Sequence, residues 1–142
     1  MRFPAYMVLA LALLTAACGG SATATSPTAL TTTSSATERF DAILEPGASA
    51  FFSFTVSASG AVSINLASLS PLDRPGLLSV LVRIGYGTPA GEGCDVQKSI
   101  QTVPGLTSQF TDTLTAGTYC ASLTDVGNLK QAANFSMRIT HP

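Results

Sequence analysis

From Phe40 onward the chain alternates apolar and polar positions with a period of two, the signature of strands with one buried face. Ala50, Phe52, Phe54 and Val56 alternate with Phe51, Ser53, Thr55 and Ser57, and Val62, Ile64 and Leu66 alternate with Ala61, Ser63 and Asn65. With Ser59-Gly60 between them, these two runs are expected to form a hairpin. Phe40–Leu44 is expected as a first strand, turned into the next by Glu45-Pro46-Gly47-Ala48 with Pro and Gly in type II positions. Leu77–Ile84, apolar on both faces until Arg83, is expected as a central strand. A short strand follows near Ser99–Val103, then one with Phe110 and Leu114 on one face. Asp112 shares that apolar face and conflicts with it, unless a bulge turns it outward.

The stretch Ala116-Gly117-Thr118-Tyr119-Cys120-Ala121-Ser122-Leu123 organises the rest. A turn at Ala116-Gly117 starts a strand with Tyr119, Ala121 and Leu123 on one face and Cys120 on the other. It reads as a late central strand of an antiparallel sheet. Phe135, Met137 and Ile139 mark the last strand. About eight short strands without a convincing helical stretch predict an all-β fold, an antiparallel β-sandwich or jelly roll. Two long connections interrupt the pattern. Leu69–Gly76 is rich in Pro and Gly, and Gly85–Gly93 carries four glycines and Pro89.

The first 38 residues break from this pattern. Met1-Arg2 carries one positive charge ahead of the apolar run Tyr6–Leu14, too short for a membrane span of roughly 20 residues and suited to the core of a signal peptide. Leu14-Thr15-Ala16-Ala17-Cys18-Gly19-Gly20 then resembles the bacterial lipobox, with Thr15 where Leu is commonest. That resemblance implies cleavage after Ala17 and lipidation of the Cys18 thiol. Acyl chains at about 0.8 kcal/mol per buried methylene would anchor the chain in a lipid bilayer. Gly19-Gly20 in place of Asp fits the outer membrane better than the inner one. The alternative is an ordinary secretory signal with Cys18 as a bystander. Residues 21–37 are almost all Ser, Thr and Ala and cannot bury enough apolar surface to offset ordering, so they read as a disordered tether. The expected organisation is a lipoprotein signal peptide over 1–17, lipidated Cys18 and linker over 18–38, and the sandwich over 39–142.

The motifs Leu44-Glu45-Pro46-Gly47, Phe52-Ser53-Phe54-Thr55-Val56 and Leu114-Thr115-Ala116-Gly117-Thr118-Tyr119 resemble those of the bacterial pre-peptidase C-terminal domain, across Phe40 to about Thr140. The chain also resembles small bacterial lipoproteins built from one such domain on a Ser/Thr tether. The resemblance implies a β-sandwich that is mostly a non-catalytic appendage, with some members binding calcium or polymeric substrates. This chain departs from the pattern in having no protease attached and in carrying Cys94 and Cys120.

Charged residues are 11% of the chain and its net charge is -1. No run of Lys or Arg could neutralise a row of phosphates, which argues against nucleic acid as a partner. Catalysis finds little support. The single histidine, His141, is next to the last residue, where a well-held general base is hard to build, and no nucleophile elbow, zinc motif or phosphate loop occurs. The chain is therefore expected not to be an enzyme and to need no cofactor. Calcium is the one ion with candidate ligands, in Asp73, Glu92, Asp95, Asp112 and Asp125, but these lack the spaced pattern of a dedicated site and read first as solvated turn carboxylates.

Tyr86, in Gly85-Tyr86-Gly87, is the one aromatic expected on a loop tip. With Asp73, Arg74, Glu92 and Asp95 it makes up the candidate contact residues, on loops that a rigid scaffold would present to an envelope protein or a polysaccharide. An envelope assembly factor without a small ligand, or an accessory of a secreted hydrolase, are the alternatives. Cys94 and Cys120 are the thiols left once Cys18 is lipidated. In an exported protein they are expected to pair as a disulfide, with two buried free thiols as the alternative.

Overall fold

The computed structural model describes residues 34–142, which form eight antiparallel strands in two four-stranded sheets, with no helix among them. The strands are β1 (Ala36–Leu44), β2 (Ser49–Val56), β3 (Gly60–Pro71), β4 (Val82–Ala90), β5 (Gly93–Thr102), β6 (Phe110–Leu114), β7 (Gly117–Asp125) and β8 (Ala133–His141). One sheet has the order β1-β8-β3-β6 and the other β2-β7-β4-β5. The expected β-sandwich is what the chain builds. Signal peptide, Cys18 and the tether through residue 33 lie outside the described residues, whereas Ala36, Thr37 and Glu38, expected as the end of the linker, belong to β1.

The core sits between the sheets and is filled by the alternating positions. Phe54 and Val56 from β2, Val62, Ile64, Leu66 and Leu69 from β3, Ile84 from β4, Leu123 from β7 and Phe135, Met137 and Ile139 from β8 are all buried. Each such side chain contributes about 1.5–3 kcal/mol relative to exposure. The strand carrying Cys120 is central, paired to β2 on one side and β4 on the other.

Three expectations are corrected. The second and third strands do not pair with each other. β2 belongs to one sheet and β3 to the other, so residues 57–59 cross the sandwich rather than close a hairpin. Two strands with one apolar face each can satisfy it by facing across a core as well as by lying side by side, and alternation alone does not distinguish these. The strand expected over Leu77–Ile84 begins only at Val82; Leu77 and Leu81 are exposed. The glycine-rich segment expected as a loop is the rest of β4, running on to Ala90, with a turn only at Gly91-Glu92.

The turn after β1 is as expected. Ala48 N–H donates to the Glu45 carbonyl at 3.0 Å and Gly47 has φ +72°, where a side chain would be strained. Asp125, at the end of β7, is the residue that holds this region together. Its carboxylate accepts the N–H of Gly47 at 2.8 Å, of Asn128 at 2.9 Å and of Leu129 at 3.1 Å, tying two turns to one buried acid. Burial alone would raise its pKa, but these N–H groups more than offset that and hold it below the ordinary carboxylate value. Asp125 is therefore not a solvated turn carboxylate.

Candidate functional site

The glycines of Gly85-Tyr86-Gly87 explain the local shape. A Cβ on Gly87 would lie 1.8 Å from the Asp95 carbonyl oxygen, and one on Gly85 2.2 Å from the Lys98 carbonyl oxygen. β5 therefore folds closely over the outward face of β4, with a register shift between Tyr86 and Gly87 that strengthens the bend. Cys120 points outward from β7 directly opposite Gly87. The folded-over hairpin covers it, leaving it 1% exposed, and brings Cys94 within reach. The expected disulfide between Cys94 and Cys120 is formed, with Cα atoms 5.8 Å apart, and it passes over Gly87 to fasten β5 to β7.

Tyr86 is not a loop aromatic. It lies in β4 facing the core, 5% exposed, because the residue between two outward glycines points inward. Its ring meets Phe110 and Tyr119 edge-on at 5.7 and 6.1 Å. Its hydroxyl donates to Asp112 Oδ2 at 2.7 Å, and Lys98 Nζ donates to the same oxygen at 2.6 Å. The Asp112 conflict is thus resolved by partners rather than by a bulge. Asp112 pairs in register with Val62, and its carboxylate is engaged from the opposite sheet by Tyr86 and Lys98. Lys98, Tyr86 and the Thr113 N–H hold its pKa down to about 2. Burial and the neighbouring carboxylate push the Tyr86 hydroxyl up, and Asp112 pushes the Lys98 ammonium up. This trio closes the sandwich between β5 and β6.

His141 is also better held than its place in the sequence implies. It ends β8 on the inward face, buried, with Nε2 2.9 Å from Glu38 Oε1 and Nδ1 3.1 Å from the Pro142 carbonyl oxygen. Its ring lies 5.5 Å from Phe54. Both imidazole nitrogens are already engaged.

The contact candidates divide between two ends of the sandwich. Glu92 and Asp95 are exposed on the disulfide-pinned hairpin, beside the start of β7. Asp73 and Arg74 lie in the connection after β3, at the end where β7 finishes and β8 begins. There Gln131 Nε2 donates to Asp73 Oδ1 at 3.2 Å, and Arg74 with Leu78, Val80, Leu129 and Lys130 lines a hollow of about 170 Å³. The structure does not bring the five residues together.

A surface that the sequence reading passed over lies on the outer face of β1, β8 and β3. Arg39, Asp41, Ser68, Ser70, Asn134 and Ser136 line a hollow of about 380 Å³. Arg39 Nε and Asp41 Oδ2 are 2.8 Å apart. Asp41, opposite Ser136 in the β1–β8 register and paired with Arg39, is held below its ordinary pKa by these two neighbours. Register was the missing signal, since nothing local says that β8 separates β1 from β3. Among the described residues no three His, Cys, Asp or Glu side chains converge into a metal-ligand set.

No family model matches the chain, and no curated protein matches it either.

Proposed function

We propose that this is a non-catalytic lipoprotein of the bacterial cell envelope, held in the bilayer through acylated Cys18 and carrying one β-sandwich as a binding or scaffolding module for an envelope protein or polysaccharide. The observation that carries the reading is the Cys94–Cys120 disulfide, a bond that persists in oxidising compartments and is rare in the cytosol. It agrees with the export signal read at Tyr6–Leu14 and the lipobox-like Leu14–Cys18. The turns at Glu45–Ala48 and Ala116-Gly117 are the features that favour a relative of the pre-peptidase C-terminal domain. Against catalysis stands His141, the sole imidazole, packed with both nitrogens occupied. The outer membrane is the proposed address.

Within this reading the hairpin bearing Glu92 and Asp95 is the contact surface, because the disulfide holds it in one shape and so lowers the ordering cost of binding. Asp73 and Arg74 are a separate surface at the opposite end. Expressed in a bacterium, the Cys18→Ser chain should lose detergent-phase partitioning and accumulate unprocessed or soluble. A Cys18→Ser chain that partitions like the parent contradicts the anchor. For the module, pull-downs from envelope extracts and glycan arrays should return a saturable partner that Glu92→Ala with Asp95→Ala weakens.

A further inference from the structure

The two long sides of the sandwich are finished differently. On one side β6 has only five residues, β5 is folded over with a register shift, and Lys98 and Tyr86 clamp Asp112 across the gap. On the other side β1 and β2 are edge strands, each paired on one flank only, to β8 and β7. β1 runs nine residues in unbroken register, without Pro, Lys or bulge; of the usual devices that stop an edge from pairing it carries only charge, in Glu38, Arg39 and Asp41, and Glu38 is taken up by His141. Among the described residues nothing but β8 hydrogen-bonds its backbone. β2 beside it carries no charged residue. Phe40 and Phe52, stacked at 4.6 Å, are only partly buried where these two edges meet. Ile43 is 51% exposed.

We infer that β1 is a self-association edge, pairing antiparallel with β1 of a second copy of this chain about a two-fold axis at Phe40. Phe40 is the midpoint of Ala36–Leu44, so this register pairs the whole strand. It sets Arg39 opposite Asp41 of the second copy, and Asp41 opposite its Arg39. Thr37 then faces Ile43, Glu38 faces Ala42, and the two Phe40 rings are neighbours on the core side. Arg39 and Asp41 now pair with each other within one strand, 60% and 53% exposed. A solvated pair of that kind is readily exchanged for cross-strand partners. An isologous interface needs a self-complementary patch, and an Arg and an Asp placed symmetrically about an aromatic provide one. The dimer would join the β1-β8-β3-β6 sheets of two copies into one of eight strands. This inference stands independently of the lipid anchor.

Sedimentation of the full chain in density-matched detergent tests it, and a concentration-dependent dimer is expected. Arg39→Asp and Asp41→Arg should each raise the dissociation constant at least about tenfold by opposing like charges, and the two together should restore it to within about threefold. Thermal midpoints close to the parent's would show that the variants fold. Hydrogen exchange on the unaltered chain gives a second readout, with the alternate β1 amides that point away from β8 protected at high concentration and unprotected on dilution. A monomer at all concentrations up to about 100 µM overturns the inference. So does a dimer whose β1 amides ignore dilution, or single charge reversals that the double variant does not rescue.

Discussion

Asp112 and Asp125 each accept three hydrogen bonds, more than any other carboxylate among the described residues, and each has a test. Asp112 has a pKa held down to about 2 by Lys98, Tyr86 and the Thr113 N–H. Because the folded value lies below the unfolded one, its contribution is complete above about pH 4 and drains as pH falls toward 2. Lys98 and Tyr86 are raised, so theirs is complete below about pH 10 and drains on the alkaline side. Thermal midpoints should therefore be flat near neutrality and fall on both flanks. Asp112→Asn should flatten both limbs, and a variant with limbs as steep as the parent's would refute the clasp. Asp125 is buried against three N–H donors, and Asp125→Ala should cost about 2–3 kcal/mol by leaving them unpaired. Its lowered pKa adds to the acid limb with the same sign. Chemical denaturation of Asp125→Ala at neutral pH checks this, and a loss under about 0.5 kcal/mol would contradict it.

At the scale of elements, the β4–β5 hairpin depends on what glycine lacks. Gly87→Ala places a methyl into the Asp95 carbonyl, a contact that only backbone movement can relieve. It should cost about 3 kcal/mol or more and lower the yield of the Cys94–Cys120 bond, read by thiol alkylation before and after denaturation. Full disulfide formation at parental stability would show that the hairpin need not close so tightly. The same hairpin shows the reach of the sequence. Strand number, the core residues of β2, β3 and β8, and the Pro46-Gly47 turn were legible, because a period of two and a positive-φ glycine are local facts. The hairpin was not. Glycines mark loops most often, and only the approach of β5 reveals that Gly85 and Gly87 are strand residues made small to admit a neighbour. Tyr86 was misplaced by the same inference, since its position follows from theirs. Lys98 and Asp112 went unmatched because their meeting depends on which strand flanks which, and alternation carries no register between sheets.

For the whole molecule, the disulfide and the proposed anchor carry the account. Closing a loop with a sequence separation of 26, the bond stabilises by about 3.5 kcal/mol on the chain-entropy model, a large share of the 5–15 kcal/mol typical of a domain. Replacing Cys94 and Cys120 by Ser should lower the thermal midpoint by roughly 10–15 °C, with the strands retained in the far-ultraviolet spectrum. An unchanged midpoint would mean that the hairpin is held by Gly87 packing and the Asp112 clasp alone. The central claim is that this sandwich is exported, oxidised and lipid-anchored, and mass spectrometry of the protein isolated from bacterial membranes without reduction tests it most directly. The account predicts a chain beginning at Cys18 with a diacylglyceryl group on its sulfur, and Cys94 and Cys120 peptides joined to each other. An unmodified Cys18, or free thiols at Cys94 and Cys120, would contradict it.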